Sequence, residues 1–152
     1  MAKKKMLKKI KHKYRSGNCR LELDLSRFEK QFQDAQYDLD SMVMTSMLPY
    51  MPKNTGVFIN TTKGMSDALA GSGKVVAAAP PFGRFLYEGK VMVDEKTGSP
   101  WAGKGAKKVV TDRPLNYNKS ENPEVTDHWF DTAKKNHCEG WVRAVKRTAG
   151  GG

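Results

Sequence analysis

The sequence predicts an α+β fold in which a small antiparallel or mixed sheet packs with a long N-terminal helix and a C-terminal helix, plus an extended hairpin or loop. Two long stretches repeat apolar residues at spacings of three and four, and short apolar runs lie between them, bounded by Gly and Pro. A chain of 152 residues suffices for one domain with a modest core. We therefore assign 1–20 to a basic arm, 21–147 to a single domain with a long loop at 94–122, and 148–152 to a flexible tail.

The N-terminal arm holds most of the net charge. The chain carries +11, and residues 1–20 contain nine basic side chains and no acidic one. Such a block acts as an interaction tail that seeks phosphate, an acidic partner or an anionic membrane. Met6, Leu7 and Ile10 leave a weak amphipathic membrane helix open, and a merely solvated tail is the remaining alternative. The candidate contacts with DNA or a neighbouring protein are Lys3, Lys4, Lys5, Lys8, Lys9, Lys11, Lys13 and Arg15.

A short strand and a long helix follow the arm. Leucines alternate with acidic residues at 21–25, which predicts a half-buried strand. Ser26 and Glu29 have the spacing of a capping box, so we expect the helix to start there and to run to about Leu48, before Pro49. We expect Met47 in the core and leave Met44 open. The predicted apolar stripe is Phe28, Phe32, Ala35, Leu39, Met42, Val43 and Met47, and the predicted solvated acidic face is Asp34, Asp38 and Asp40.

The middle of the chain reads as turns and short strands. Residues 52–56 form a turn signal with Gly56 available for a positive φ, and 57–61 and 74–79 are strand candidates. The stretch at 71–74 resembles a phosphate loop, but Ala68 stands where that motif needs Gly, and Val75 stands where it needs Ser or Thr. A hairpin connection is therefore the better interpretation.

A long polar segment separates two further apolar runs. Residues 91–93 predict a strand, and 109–111 predict its return strand. Long structureless loops are uncommon in compact domains, so we expect an exposed hairpin that serves as an interface. The alternative is a floppy insertion whose tryptophan packs back onto its own domain. The candidate interface residues of this hairpin are Trp101, Lys104, Lys107 and Lys108.

The last element is a helix that begins near Pro123 or Thr126. Gly140 interrupts its pattern, so we expect a kink or a close helix contact there. Lys146 and Arg147 suit the C-terminal end of a helix dipole. The apolar positions are Trp129, Phe130, Ala133, His137, Trp141, Val142 and Val145.

No motif in the chain predicts catalysis. Nucleophile elbows and metalloprotease motifs are absent from the sequence, and the side chains of His137 and Cys138, as neighbours on a helix, diverge by about 100°. Two cysteines outside any CxxC pair exclude a disulfide scaffold and a multi-cysteine zinc site. No apolar run is long enough for a membrane span. We therefore expect a non-enzymatic protein without a cofactor, without a metal and without a membrane partner.

Four segments follow the long N-terminal helix in a fixed order, and they are 52–56, 82–93, 113–117 and 128–134. This ordered set resembles the minor capsid protein family of tailed bacteriophages, which is similar to phage tail-completion or neck proteins. The resemblance implies a structural virion component, a head–tail connector that forms a six-fold or twelve-fold ring at the head–tail joint. It implies assembly in the host cytoplasm, a final place in the virion neck, and contacts with other neck, portal-adaptor and tail proteins and with genomic DNA in the channel.

A basic nucleic-acid-binding module is the alternative function. The arm and the sequence pI of about 9.7 favour it. Outside the arm, however, 18 basic residues face 16 acidic ones, and no RNA- or DNA-binding signature is present. The heavily basic arm is also less typical of the phage family, so the resemblance assigns it no role.

Overall fold

The computed structural model describes residues 11–150 and confirms the predicted α+β class. In this part of the chain two separate two-stranded antiparallel sheets accompany the helices. The elements in order are β1 (Lys11–Ser16), β2 (Cys19–Asp24), α1 (Ser26–Met47), a 3-10 turn (Leu48–Tyr50), α2 (Val57–Asp67), α3 (Gly83–Glu88), β3 (Lys90–Asp94), β4 (Lys108–Pro114) and α4 (Trp129–Thr148).

Helices α1 and α4 pack antiparallel and supply most of the core. The indole Nε1 of Trp141 donates to Oγ of Ser46 at 3.1 Å, and Oγ1 of Thr148 donates to Oδ2 of Asp38 at 3.1 Å. The start of α4 therefore lies beside the end of α1. The prediction that Met47 is a core residue is confirmed, and Met44 joins it. The buried cluster consists of Val43, Met44, Met47, Met51, Trp129, Ala133 and Trp141.

The predicted strands at 57–61 and 74–79 are wrong. The first lies in α2, and the second has no regular structure. Two hydroxyl groups of α2 bond to backbone groups of this second segment, in place of the backbone partners that a neighbouring strand would have supplied. Oγ1 of Thr62 accepts the Ala79 N–H at 3.1 Å, and Oγ of Ser66 accepts the Val76 N–H at 2.8 Å and donates to the Val76 carbonyl at 3.0 Å. The turn before α2 is as expected, because Gly56 has a φ of +81°.

The predicted acidic face of α1 needs a correction at Asp40. Asp34 and Asp38 are exposed, but Asp40 is only 4% exposed. Its carboxylate accepts the backbone N–H groups of Gly71 and Gly73 at 2.8 and 3.0 Å. Asp40 therefore holds the loop after α2 against the middle of α1.

The start of α1 also differs from the prediction. The residue at the N-cap is Leu25, and no side chain caps the helix there, so the capping box of Ser26 and Glu29 is wrong. Instead, Oδ1 of Asp24 accepts the Ser26 N–H at 3.0 Å. This bond fixes the direction of the backbone at the junction between β2 and α1.

The first two turns of α1 extend beyond the core. Phe28 and Phe32 are 52% and 55% exposed, although they lie on the same stripe as buried Ala35. The reason is the length of α4, which ends at Thr148, with Gly150 packed against the side chain of Gln31. The core prediction is therefore wrong for these two phenylalanines.

The segment from α3 to α4 is closely packed at a glycine and at two of its tyrosines. A Cβ on Gly89, whose φ is +65°, would lie 2.6 Å from Cβ of Asp127. The ring of Tyr87 meets that of Trp129 edge-on at 4.9 Å. After β4, the hydroxyl of Tyr117 donates to the carbonyl of Leu86 and fastens the following loop to α3.

The predicted hairpin is confirmed, since β3 and β4 pair antiparallel with Val93 opposite Val109. Helix α4 begins at Trp129, later than expected. No atom lies within 4 Å of the Cβ position of Gly140, so the expected close helix contact is not observed there.

Candidate functional site

Two projecting hairpins carry the residues that the sequence singled out, and they lie at opposite ends of the α1–α4 pair. The first, the N-terminal ribbon, is formed by β1 and β2 and joins the start of α1 through Leu25. The second leaves the far end, where Thr126 N–H donates to the Tyr50 carbonyl and His128 N–H donates to the Tyr87 carbonyl. The described part of the chain therefore presents an exposed hairpin at each end of the helix pair.

One face of the N-terminal ribbon is apolar. Tyr14 lies directly opposite Leu21, and Leu23 follows on the same side of β2. These three side chains are 66%, 61% and 45% exposed. The strand predicted at 21–25 is therefore present as part of β2, but it is exposed and not half-buried. We call this surface the ribbon's apolar face.

The other face of the ribbon is charged. Lys13 pairs with Glu22 at 3.1 Å, whereas Arg15 lies directly opposite Arg20. Like charges opposite each other destabilise a strand pair. Neither arginine has a carboxylate within salt-bridge distance among residues 11–150. This face, the ribbon's basic face, is thus suited to an anionic partner.

The structure corrects the extent of the predicted arm. Of the eight candidate contacts, Lys11, Lys13 and Arg15 lie in β1, in a paired strand and not in a tail. The other five lie outside the described residues; these are Lys3, Lys4, Lys5, Lys8 and Lys9.

The tip of the second hairpin, residues 95–107, presents Trp101 at 87% exposure. The alternative in which this tryptophan packs back onto its own domain is therefore wrong. Lys104 is exposed as predicted. Lys107 is held near Glu95 at 3.4 Å, and Lys108 donates to the Pro100 carbonyl at 2.8 Å. Lys107 and Lys108 are thus engaged within the tip, whereas the indole of Trp101 is exposed.

A carboxylate that we did not predict supports this tip. Oδ1 of Asp94 accepts the backbone N–H groups of Lys96 and Thr97 at 2.8 and 3.0 Å. The bonds from Thr97 and Lys96, with a smaller contribution from the charge of Lys108, hold the pKa of Asp94 below its ordinary value. The signal in the sequence is an Asp at the end of a strand, followed by a turn that contains Gly98.

Titratable groups also gather where α3 meets the start of α4. Nε2 of His128 is 3.8 Å from Glu88, and Nδ1 is 3.7 Å from Asp127, with about half of each side chain exposed. The nearby Tyr87 has a raised pKa because of burial, Asp131 and Glu88. Carboxylates at a helix N-terminus stabilise the helix, and this arrangement ties α3 to α4.

An open groove of about 520 Å³ separates parts of α1 and α4 near Gly140. His137 lines it, but the hydroxyl of Ser46 is occupied by the Trp141 indole. Within residues 11–150, no three His, Cys, Asp or Glu side chains are placed to share a metal ion. None of the helices in this range has the length and the apolar character needed to cross a bilayer.

The two ends offer exposed surfaces and not a cleft. These surfaces are the ribbon's apolar face, the ribbon's basic face and the indole of Trp101. Comparison of the chain with protein families, curated proteins and solved structures found no match.

Proposed function

We propose that the protein is a non-enzymatic structural component of a tailed-phage virion, a head–tail connector that forms a ring at the head–tail joint. The observation that carries the proposal is the pair of unlike apolar surfaces at opposite ends of one helix pair. Trp101 lies at one end, and Tyr14, Leu21 and Leu23 lie at the other. Exposed aromatic anchors of this kind are typical of protein interfaces.

A subunit that carries different surfaces at its two ends favours a ring over a two-fold dimer. When a surface binds a different surface on the next copy, the contact is head-to-tail, and it closes into a ring if the rotation between copies permits. Helix α1 has 22 residues and spans about 33 Å, so it keeps the two ends apart. A six-fold or twelve-fold ring is the stoichiometry that the resemblance implies.

The proposed place of the ring is the virion neck, reached by assembly in the host cytoplasm. Portal-adaptor, neck and tail proteins would contact its two open faces, and DNA would pass through its channel. The ribbon's basic face, with Arg15 and Arg20, supplies the positive charge for such a channel.

Electron microscopy tests this proposal. Cryo-electron microscopy of purified particles should show the protein as a ring of identical copies at the head–tail joint. Negative-stain images of the purified full chain provide the simpler first measurement, with closed rings as the expected result. A single copy at the neck, or absence from the neck, would refute the proposal.

A nucleic-acid-binding module is the second candidate, and the opposed arginines favour it. Phosphate contacts without sequence preference make affinity fall with salt by about one unit of log–log slope for each phosphate engaged. The double variant R15Q/R20Q should therefore lower that slope by up to about two units. The matched control is K134Q/K135Q, which removes the same charge from exposed positions of α4. Equal slopes for both variants would exclude the ribbon as the DNA contact.

A further inference from the structure

We infer that the tip of the second hairpin binds single-stranded nucleic acid, with the indole of Trp101 stacked on a base and nearby lysines placed for the phosphates. This inference goes beyond the proposed function, because a connector around duplex DNA needs no contact with an unpaired base. Three observations carry it: the indole is exposed on an ordered turn, no other large apolar side chain accompanies it on the tip, and the positive charge beside it is not neutralised.

The tip presents its indole on an ordered backbone. The side chain of Trp101 is 87% exposed. Its backbone N–H donates to Oγ of Ser99 at 3.1 Å, and Nζ of Lys108 donates to the carbonyl of Pro100 at 2.8 Å. The N–H of Asp94 donates to the Ser99 carbonyl at 2.7 Å. The segment that carries the indole is therefore ordered before a ligand binds, which lowers the entropy lost on binding.

The tip offers one aromatic face and little other apolar surface. Besides Trp101, residues 95–107 contain Pro100 and two alanines, and the rest are polar residues or glycines. A standard protein interface buries about 800 Å² on each partner, whereas a single aromatic side chain supplies about 150–250 Å². Stacking on a base needs only one aromatic face and tolerates any base. A lone exposed indole thus suffices for a stack, whereas a protein contact would have to draw on residues outside the tip.

The charge beside the indole is positive. The tip and the two residues that flank it hold four lysines and two carboxylates. Both carboxylates are engaged there, because Asp94 accepts backbone N–H groups and Glu95 lies 3.4 Å from Lys107. Lys96 and Lys104 are exposed, and neither has a carboxylate within salt-bridge distance in the described part of the chain. These two lysines are thus available to phosphate oxygens.

The single indole favours a single strand over a duplex. Bases in a duplex stack on one another, so an indole reaches a base face only where the strand is unpaired or is unstacked at a cost. The tip has no cluster of large apolar residues to offset that cost. Single strands of DNA and RNA offer the same base faces and phosphates, and the experiment compares them. An anionic bilayer also attracts indoles and lysines, so vesicles form a separate arm of the experiment.

The experiment measures the affinity of the full-length chain for labelled oligo-dT and oligo-rU of about 15 nucleotides by fluorescence anisotropy. W101F keeps an aromatic face and should bind within about three-fold of the unmodified chain. W101L keeps apolar area without an aromatic face, so it should bind about 5- to 100-fold more weakly. Because Trp101 is exposed, both variants should fold. The control F82L makes the same kind of change at a residue that is 68% exposed before α3, and it should bind like the unmodified chain.

A charge variant separates the tip from the ribbon. Affinity for single strands falls with salt by about 0.7 units of log–log slope for each phosphate engaged, so K96Q/K104Q should lower the slope by about 1.4 units. The control K134Q/K135Q removes the same charge from exposed positions of α4 and should leave the slope unchanged. The loss of affinity caused by W101L should have the same size when R15Q/R20Q has removed the charge of the ribbon's basic face.

Tryptophan emission reports the stack directly. Trp129 and Trp141 are buried, so Trp101 is the exposed indole among the three tryptophans of the chain. A base stacked on Trp101 should quench its emission in the unmodified chain. The oligonucleotide should leave the emission of W101F unchanged, although W101F still binds. Binding of either strand supports the inference, and the ratio of the two affinities identifies DNA or RNA as the preferred ligand.

Several results would overturn the inference. They are no binding of either strand at low salt, equal affinities of W101L and W101F, an unquenched Trp101, an unchanged salt slope in K96Q/K104Q, and binding of phosphatidylserine vesicles in place of the oligonucleotides. Failure of the proposed function is a separate outcome. A ring at the virion neck formed by a chain that does not bind single strands would refute this inference alone, whereas stacking through Trp101 without a place in the neck would refute the connector proposal alone.

Discussion

The backbone N–H of Gly71 donates a 2.8 Å hydrogen bond to Oδ2 of Asp40, across 31 positions of sequence. Gly73 donates to the same oxygen, and the Gln36 amide donates to Oδ1 at 2.8 Å. The buried carboxylate thus serves, in place of water, as the hydrogen-bond acceptor of two loop N–H groups that no neighbouring strand pairs. Asp40 therefore fastens the loop that follows α2 to α1.

Replacing Asp40 should be costly. The variant D40A leaves two loop N–H groups without their acceptor, so we expect the free energy of unfolding to fall by about 2–3 kcal/mol. The control is D34A, at an exposed site on the same helix, which should stay within about 0.5 kcal/mol. Both variants gain the same helix propensity, so the difference between them isolates the buried contacts. Urea titration followed by circular dichroism measures it, and equal stabilities would contradict the structural role of Asp40.

The tip of the second hairpin should be dispensable for folding and required for assembly. Exchanging residues 96–106 for a short Gly-Ser turn should retain a cooperative thermal transition, because Trp101 contributes little to its own domain. Phage heads should no longer join to tails during particle assembly, since an exposed aromatic anchor is removed. The substitution W101A should shift the thermal midpoint hardly at all and should weaken joining. Loss of the cooperative transition in the loop variant would place the tip in the core instead.

The same tip should loosen in acid. The pKa of Asp94 is held below its ordinary value of 3.8, so its ionised form favours the folded turn. That stabilisation is complete above the unfolded-state value and disappears as the pH falls through the lower value of the folded state. Amide chemical shifts of Lys96 and Thr97 should therefore titrate together below pH 3.8. In D94N these shifts should lose the titration, and a midpoint at or above the ordinary value would contradict the prediction.

Tyr117 should respond at the opposite end of the pH scale. Burial, with a smaller effect of Asp127, raises its pKa to about 12. Its protonated form therefore favours folding, and the advantage is complete below the ordinary value of 10.0 and is lost as the pH rises towards 12. Y117F removes the bond to the Leu86 carbonyl and should lower the free energy of unfolding by about 1 kcal/mol at pH 8.

The absorbance of ionised tyrosine at 295 nm checks the assignment of this pKa. The unmodified chain and Y117F should ionise equally up to about pH 11, because Tyr117 does not yet contribute there. A difference in ionisation between the two proteins near the ordinary pKa of 10.0 would show that the phenol of Tyr117 is solvated. The stability gap between the two proteins should also narrow above pH 10, where the advantage of the protonated form begins to disappear.

Periodicity in the sequence predicted the elements that bury a continuous stripe. We expected the long first helix and the last helix because their apolar residues recur at spacings of three and four. We expected the β3–β4 pair because two short apolar runs flank a polar segment. Helix α2 was predicted as a strand because Val57, Phe58 and Ile59 have strong β propensity over a short window. Its buried side is completed by Thr62 and Ser66, whose partners lie 10 to 17 residues away.

Other features depend on contacts that no local pattern encodes. Asp40 fits a polar position of α1, and only the later loop makes it a buried acceptor. Phe28 and Phe32 fit the core stripe, but the length of α4 decides that they are exposed. The second hairpin was expected from its composition, and Trp101 is exposed as an interface residue would be. Strand β1 of the ribbon was missed because charge dominates the composition of residues 11–20 and conceals the alternation in β1.

Helix α1 begins directly after the ribbon and ends beside the loop contacts that hold the base of the second hairpin, so its length sets both the distance and the angle between the two hairpins. Each residue inserted into it would turn one surface by about 100° relative to the other and move it by about 1.5 Å. In a head-to-tail assembly that angle sets how many copies return to the starting point. Changes in the number of subunits per ring would then require only small insertions or deletions in one helix, with both contact surfaces left chemically unchanged.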